Sequence, residues 1–462
     1  MITKEKNIYM LGIAGISMSG IAMYLKSKGY HVSGSNDVER LQIDRLRKNG
    51  ITVNIGKEID NITKEIDIVI RSSAIKDENI ELQSAKEKGI QILKRAEFLG
   101  KLTEQGFNIG VMGAHGKTTT TGIIGSILKT AGINPSVFVG GEFSQFEYSN
   151  VEIGREDLNV IEICEYDRSL LNFKCNILGF TNVDYNHPDC YSSLSDVITT
   201  YNKFLNQNFR NNMLVLSEKV KKYVENIEKY NVLVVGENSD CDVIIHDLTY
   251  QEEFTKFNIL YNGKVESYET PLLGESGLID SVIAIVICRH LNVDYEVVKN
   301  SLKEYQNAKF RMDYIGRTNN GIKVYDDYAH VPEEIIATIK AFNQKYPKRR
   351  IWCVFQPKQF HRTRLLMEEY INAFQMLDVE RVIITKAEKG LGDEIEMDYT
   401  IDMEFEQQAK GKEKIIFKND KEEVFLYLID HYKSIDIIIT LGSSYEIRIM
   451  GEEIISQINA FF

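Results

Sequence analysis

Phe107-Asn-Ile-Gly-Val-Met-Gly-Ala-His-Gly-Lys-Thr-Thr-Thr-Thr121 joins a short apolar strand to a helix through a loop built to hold phosphate. Backbone N–H groups at a helix N-terminus point toward an anion and are helped by the helix dipole. The loop supplies Gly113, His115, Gly116, Lys117, Thr118 and Thr119. A lysine here reaches terminal phosphate oxygens, and the Thr118 hydroxyl is a ligand for Mg²⁺. Either Gly110 or Gly113 serves as the first glycine of a G-x-x-x-x-G-K-[ST]-like pattern that ends in Gly116-Lys117-Thr118. Strand, loop and helix occur in the order that phosphate binding requires. An ordinary glycine-rich turn has no need of that order or of the lysine.

Around this loop lie 462 residues, more than one hydrophobic core usually supports, so several domains are expected. Hydrophobic residues make up 43% and charged residues 26%, the balance of a globular chain rather than a disordered one. A net charge of -12 argues against broad contact with nucleic acid or anionic lipid, while leaving room for a local phosphate site. The first ten residues lack the pattern of a secretory signal, and no apolar run approaches the about 20 residues of a membrane span. The expectation is a cytoplasmic protein with no integral membrane segment and no nucleic-acid partner. Six cysteines, at 164, 175, 190, 241, 288 and 353, include no C-x-x-C pair and read as reduced, packed thiols.

Upstream of the loop, residues 7–12 read as a buried strand, and Gly12-Ile-Ala-Gly-Ile-Ser-Met-Ser-Gly-Ile-Ala22 turns into a helix. A second strand follows at 30–34, completing a βαβ unit with a glycine-rich first turn. Small residues there, including Gly12, Gly15, Ser17 and Ser19 beside Met18, let a pyrophosphate approach the helix N-terminus. A third parallel strand at 66–70 runs into Arg71-Ser-Ser-Ala-Ile75, so Ser72 and Ser73 lie at a strand's carboxyl end, where open α/β sheets bind ligands. The expected ligand of this first domain, residues 1–103, is a nucleotide carrying a diphosphate.

Downstream, residues 104–312 alternate strands with helices. The strand at 159–163 ends at Cys164-Glu165, and the strand at 178–183 leads to Asp184-Tyr-Asn-His187-Pro-Asp189. Both deliver polar groups to the edge of the sheet that carries the phosphate loop. Taken alone, Glu165 is a solvated strand end and His187 a turn before Pro188; the loop makes them candidate metal and phosphate partners. A third α/β unit, 313–462, opens with Ile322-Lys-Val-Tyr-Asp-Asp-Tyr-Ala-His330 and a helix with Pro332 in its first turn. It continues through strands at 350–357, 381–385 and 435–442. The fold class is therefore α/β, with three domains each built around a largely parallel sheet.

With these motifs in order, the chain resembles the Mur ligases, ATP-dependent amino-acid ligases of peptidoglycan synthesis, over essentially its full length. Gly12 to Ala22 and Arg71 to Ile75 are similar to the family's UDP-substrate contacts, Arg95-Ala-Glu-Phe-Leu99 to the end of its first domain, and Gly113 to Thr121 to its ATP loop. Asp326-Asp-Tyr-Ala-His330 and Phe355-Gln-Pro357 resemble its C-terminal signatures. The resemblance implies ATP and Mg²⁺ as cofactors. It implies that ATP phosphorylates the carboxylate of UDP-N-acetylmuramate or a related UDP-sugar, and that an amino acid, L-alanine foremost, attacks the acyl phosphate. It further implies that Lys117, His187, Arg311, Asp327 and His330 are catalytic, that Thr118, Glu165 and His187 hold metal, and that Arg362 clamps the amino acid.

Departures from the family pattern are specific. Ser276, Gly277 and Asp280 stand where the family sets a His-Asn pair and a second Asn against adenine and ribose. An Asn amide both donates and accepts, whereas glycine offers neither and aspartate only accepts. Asn36 and Asn186 replace acidic residues, Val331 replaces a histidine, and Lys358-Gln-Phe-His-Arg362 replaces a His-Arg-Tyr-Thr-Arg run. Gln359 thus lacks the charge of a second arginine. Three readings follow: an alanine-adding ligase, a diverged paralogue joining another carboxylate and amine, and a nonenzymatic binder of UDP-sugars.

Overall fold

The computed structural model describes residues 6–187, 190–251, 254–390, 393 and 399–461. The first five residues, Pro188 and Asp189, on which part of the sequence reading falls, lie outside the described residues. Three sheets form, and the chain divides near residues 308 and 309 into two compact units. The first two sheets belong to one unit and the third to the other.

The first sheet has five parallel strands in the order Thr52–Ile55, His31–Asn36, Asn7–Leu11, Ile68–Arg71 and Gln91–Lys94. The opening strand is apolar because it is covered on both faces, as parallel strands are. Tyr9 and Leu11 pack with Ile62, Val69 and Leu82 on one side, while Ile8 and Met10 join the core on the other. That second core continues through Phe98 and Leu99 of helix Arg95–Thr103 into Ile161, Leu178 and Phe180 of the second sheet. The first two sheets therefore share one apolar interior.

The second sheet has ten strands, with Phe107–Met112 set between Cys175–Phe180 and Arg155–Glu162, all parallel. Gly110 sits in mid-strand, opposite Leu178 on one side and Ile161 on the other. A Cβ at Gly110 would come within 2.5 Å of Ile163 and 2.6 Å of the Cys175 sulfur. Gly110 is thus a packing glycine and not an anchor of the phosphate loop, which corrects one option of the sequence reading. The expected alternation of strands and helices also fails near the far edge. Val243–Tyr250, Thr255–Tyr261 and Lys264–Thr270 follow one another as consecutive strands, the last two as an antiparallel pair.

The third sheet runs Asp313–Arg317, Lys323–Asp327, Ile437–Leu441, Ile351–Phe355, Arg381–Thr385, Ile415–Lys418. Only its first pair is antiparallel. Five-residue runs such as Ile351-Trp-Cys-Val-Phe355 are wholly buried, with core on both faces. Among the described residues no helix is long and apolar enough to cross a membrane.

Candidate active site

The helix Lys117–Thr130 starts directly from the phosphate loop, with Gly116 as its N-cap at φ 78°. That left-handed backbone favours glycine, and here the space is also taken. A Cβ on Gly116 would fall 2.3 Å from Oδ1 of Asp280. Asp280, one of the residues that depart from the family pattern, is 5% exposed and sets its carboxylate against the loop itself. The backbone of His115 is fixed from the neighbouring strand end: its N–H donates to Asn182 Oδ1 at 2.8 Å, and its carbonyl accepts from Thr181 Oγ1 at 2.6 Å. Its ring lies 3.1 Å from Asp184 Oδ2.

Lys117 is buried, and its ammonium is fully engaged. Nζ donates to the carbonyls of Gly113 at 2.6 Å and Ala114 at 2.9 Å, and lies 2.9 Å from Oε2 and 3.2 Å from Oε1 of Glu165. Glu165 Oε1 is also 3.3 Å from His187 Nε2. Burial opposes the charge on Lys117, but Glu165, with Glu162 behind it, outweighs burial and raises the lysine above its ordinary value. Burial likewise pushes Glu165 upward, yet Lys117 and His187 bring it down to about 2. Both partners therefore stay charged at neutral pH.

Thr118 faces a different carboxylate. Its Oγ1 donates to Glu162 Oε2 at 2.9 Å, and the same oxygen accepts the Gly140 N–H at 2.6 Å. Glu162 is the last residue of its strand and was passed over in the sequence, where the polar turn beyond it drew the reading to Glu165. The donor set of Thr118, Glu162 and Glu165 is hard oxygen, which fits Mg²⁺. Among the described residues no three acidic, histidine or cysteine side chains converge as a complete metal cage.

The turn carrying Glu165 is braced on several sides. Its carbonyl accepts from Tyr191 Oη at 2.6 Å and from the Arg168 N–H at 2.9 Å. Asp167 and Arg168 both have positive φ, 53° and 51°, a conformation that non-glycine residues hold only when their surroundings impose it. The surroundings are identifiable. Lys94 donates to Asp167 at 2.6 Å, and Arg168 reaches both oxygens of Asp196 at 2.9 Å while lying 4.9 Å from the Tyr191 ring centre.

In the first sheet, the N–H groups of Gly12 and Ile13 donate to the Ser35 carbonyl at 2.9 and 3.0 Å, and Gly15 N-caps helix Ile16–Ser27. Ser17 accepts from Arg95 at 3.1 Å. Met18 is buried, and the Ser19 hydroxyl is used internally, donating to Ile16 and accepting from Asn150 at 2.8 Å. Ser72 and the exposed Ser73 directly follow strand Ile68–Arg71. Asn36 donates to the Val38 carbonyl at 2.7 Å.

In the second unit, Asp327 is buried and its oxygens accept from the Met312 and Ala329 N–H groups and the Thr338 hydroxyl at 2.7, 3.0 and 3.0 Å. Burial raises its pKa against the pull of Arg311, whose guanidinium lies 4.5 Å from the Tyr328 ring centre. His330 ends this turn, and Tyr370 Oη donates to its carbonyl at 2.6 Å. Arg362, in helix Phe360–Leu365, donates from Nη2 to the Lys358 carbonyl at 3.1 Å, while its buried Nε has no hydrogen-bonding partner. Lys358 pairs with Glu388 at 3.5 Å, and Gln359 holds a positive φ of 71°.

A P-loop with a buried lysine, flanked by carboxylates at parallel strand ends, defines a nucleotide-dependent phosphoryl-transfer enzyme of α/β class. Comparison with known proteins narrows this. Profiles described as the Mur ligase family catalytic domain, the Mur ligase middle domain and the Mur ligase glutamate ligase domain match residues 7–106, 111–288 and 310–444. The UDP-N-acetylmuramate–L-alanine ligase of Lachnoclostridium phytofermentans is 32% identical, covering 98% of this chain and 99% of the relative. That of Aquifex aeolicus is also 32% identical, covering 98% of each. The crystal structure of the UDP-N-acetylmuramate-alanine ligase MurC from Thermotoga maritima matches the fold with a TM-score of 0.81 at 22% identity, over 99% of this chain and 100% of that one. The chain belongs to the Mur ligase family and is an ATP-dependent amide ligase of peptidoglycan precursor synthesis.

Proposed function

We propose that this protein joins L-alanine to the carboxylate of UDP-N-acetylmuramate in the cytoplasm, through an acyl phosphate formed from ATP with Mg²⁺. In this reading residues 1–103 take the UDP-sugar, 104–312 take ATP, and 313–462 bring the amino acid. The observation that carries it is the Lys117 ammonium, held inside the phosphate loop by two loop carbonyls and Glu165. Terminal phosphate oxygens replace those partners, and Lys117 then neutralises charge as the phosphoryl group moves to the sugar's carboxylate. Thr118, Glu162 and Glu165 would hold Mg²⁺, which supplies further neutralisation of the phosphates. Gly12, Gly15 and Ser17 would border the diphosphate, with the Arg95 guanidinium on Ser17 Oγ beside them.

A second reading keeps the chemistry and changes the amine. The Lys358–Glu388 pair, beside a Gln359 where the family carries arginine, gives the amino-acid loop a different charge pattern. Both readings meet one experiment. The protein is incubated with ATP, Mg²⁺, UDP-N-acetylmuramate and each member of an amino-acid panel, and phosphate release is followed. Release is expected only with both acceptor and amino acid present, and largest with L-alanine. A different preferred amino acid selects the second reading, and silence across the panel overturns both.

A further inference from the structure

His330 follows strand Lys323–Asp327, and Glu334 lies four residues on, in the first turn of helix Pro332–Lys345. The spacing puts both side chains on the same side of the turn, and the contacts are specific. Glu334 Oε2 accepts the His330 backbone N–H at 3.0 Å and lies 3.1 Å from Nδ1 of its ring. The Tyr328 carbonyl lies 3.1 Å from the same Nδ1. Both neighbours of Nδ1 are acceptors, so Nδ1 carries the proton of the neutral ring and Nε2 keeps its lone pair. Nε2 has no hydrogen-bonding partner among the described residues. Tyr370 secures the backbone below, and the Tyr328 ring meets the imidazole edge-on at 5.0 Å.

We propose that His330 is the base that takes the proton from the incoming amine, and that Glu334 is the positioning residue that holds its imidazole in the competent tautomer. The proposal rests on the amide-ligase reading and deepens it. An amino acid arrives as an ammonium, which has no lone pair to attack with, so the step needs a base working near neutral pH. Glu334 alone meets the ring itself, while Glu333 of the same helix and Arg362 of helix Phe360–Leu365 act at the Tyr370 hydroxyl beneath it, and Arg311 stacks on the Tyr328 ring. Arg362 and Glu334 both act on the Tyr370 hydroxyl that holds the His330 carbonyl. An α-carboxylate held by the Arg362 guanidinium would set the amine near Tyr370 and the His330 it supports.

The step balances. One ammonium proton passes to Nε2, and Glu334 stabilises the imidazolium. The freed lone pair forms the C–N bond to the acyl carbon, and collapse breaks the C–O bond to phosphate. A second nitrogen proton leaves with the phosphate, and His330 returns its proton to solvent.

The test compares the full chain with its Glu334→Gln and His330→Ala variants, using ATP, Mg²⁺ and UDP-N-acetylmuramate with either L-alanine or hydroxylamine. Hydroxylamine is unprotonated at neutral pH and needs no base, so hydroxamate formation reports an intact fold and intact acyl-phosphate chemistry. With L-alanine, His330→Ala is expected to lose about 10²–10⁴-fold in rate. Glu334→Gln is expected to lose about 10-fold with L-alanine, because Nδ1–H loses the carboxylate that fixes the tautomer of the ring. Hydroxamate formation stays within a few-fold of the parent protein in both. An L-alanine rate unchanged in Glu334→Gln, or equal loss with both nucleophiles in His330→Ala, overturns the proposal while leaving the ligase reading in place. A parent protein silent with both nucleophiles overturns the ligase reading and this proposal with it.

Discussion

Lys117 in the phosphate loop has its whole ammonium engaged, by two carbonyls and a buried carboxylate, whereas Arg362 in the second unit leaves a buried Nε without a partner. His187 likewise lies against Glu165, while His330 turns an unpaired Nε2 away from Glu334. A ligand at the first site must displace contacts the protein makes with itself; a ligand at the second completes contacts the protein lacks. Removing a side chain at the first site should therefore damage stability and turnover together. At the second it should damage binding or turnover while stability changes little.

The largest effect is expected from Lys117→Ala. Loss of the group that meets the transferring phosphate should lower turnover by at least about 10²–10³-fold, while UDP-N-acetylmuramate binding to the first sheet stays near normal. The same change leaves Glu165 buried with only His187 as its partner, at a cost of up to about 3–5 kcal/mol. Adding Glu165→Gln should recover much of the thermal stability and none of the activity. Undiminished phosphate release by the single variant would show that the loop has been misassigned.

Arg362→Ala should act more narrowly. A charged hydrogen bond to a substrate carboxylate is worth about 1.5–3 kcal/mol, so KM for the amino acid should rise by about 10–100-fold. The thermal midpoint should fall only by what the Nη2 hydrogen bond to the Lys358 carbonyl contributes, about 0.5–1.5 kcal/mol. A fall in midpoint with an unchanged KM would make Arg362 a structural residue and remove the contrast between the sites.

The two regions also differ in how far they could be read in advance. Gly116, Lys117 and Thr118 are adjacent in sequence, so their joint chemistry is visible without a fold. The apolar runs likewise announce most parallel strands, because a strand covered on both faces must be apolar throughout. What escaped depends on contacts between distant segments. Nothing near Gly116 signals that Asp280 will occupy the space of its missing side chain. Gly110 fits a phosphate-loop spacing equally well as an anchor or as a mid-strand residue, and only the neighbouring Ile163 and Cys175 decide it. Glu162 had a local signal, a carboxylate closing an apolar strand. Glu334 had one too, an acid four residues after a histidine at a helix start.

The smallest effect, and the one that sets the two units against each other most directly, concerns buried carboxylates. Glu165 is held down at about 2, so its contribution is present above its unfolded value and is lost only as pH falls toward 2. Asp326 behaves in the opposite sense. It is fully buried, accepts from the Thr440 hydroxyl through Oδ1, and has no partner at Oδ2. Burial, joined by the adjacent Asp327 and opposed by Thr440 and Arg448, pushes it up to about 8. A carboxyl whose folded value lies above its unfolded value binds more protons when folded, so its stabilisation is complete at low pH and declines as pH rises toward 8. The thermal midpoint should therefore carry a downward slope between about pH 4 and 8 to which Asp326 contributes, with Asp327 adding in the same direction. Asp326→Asn keeps the shape and removes the titration, so the slope should flatten by about 2–4 °C across that window, read by calorimetry at several pH values. If the slope persists unchanged in the variant, Asp326 is ionised in the folded protein, and the contrast between a charged carboxylate in the first unit and a neutral one in the second is lost.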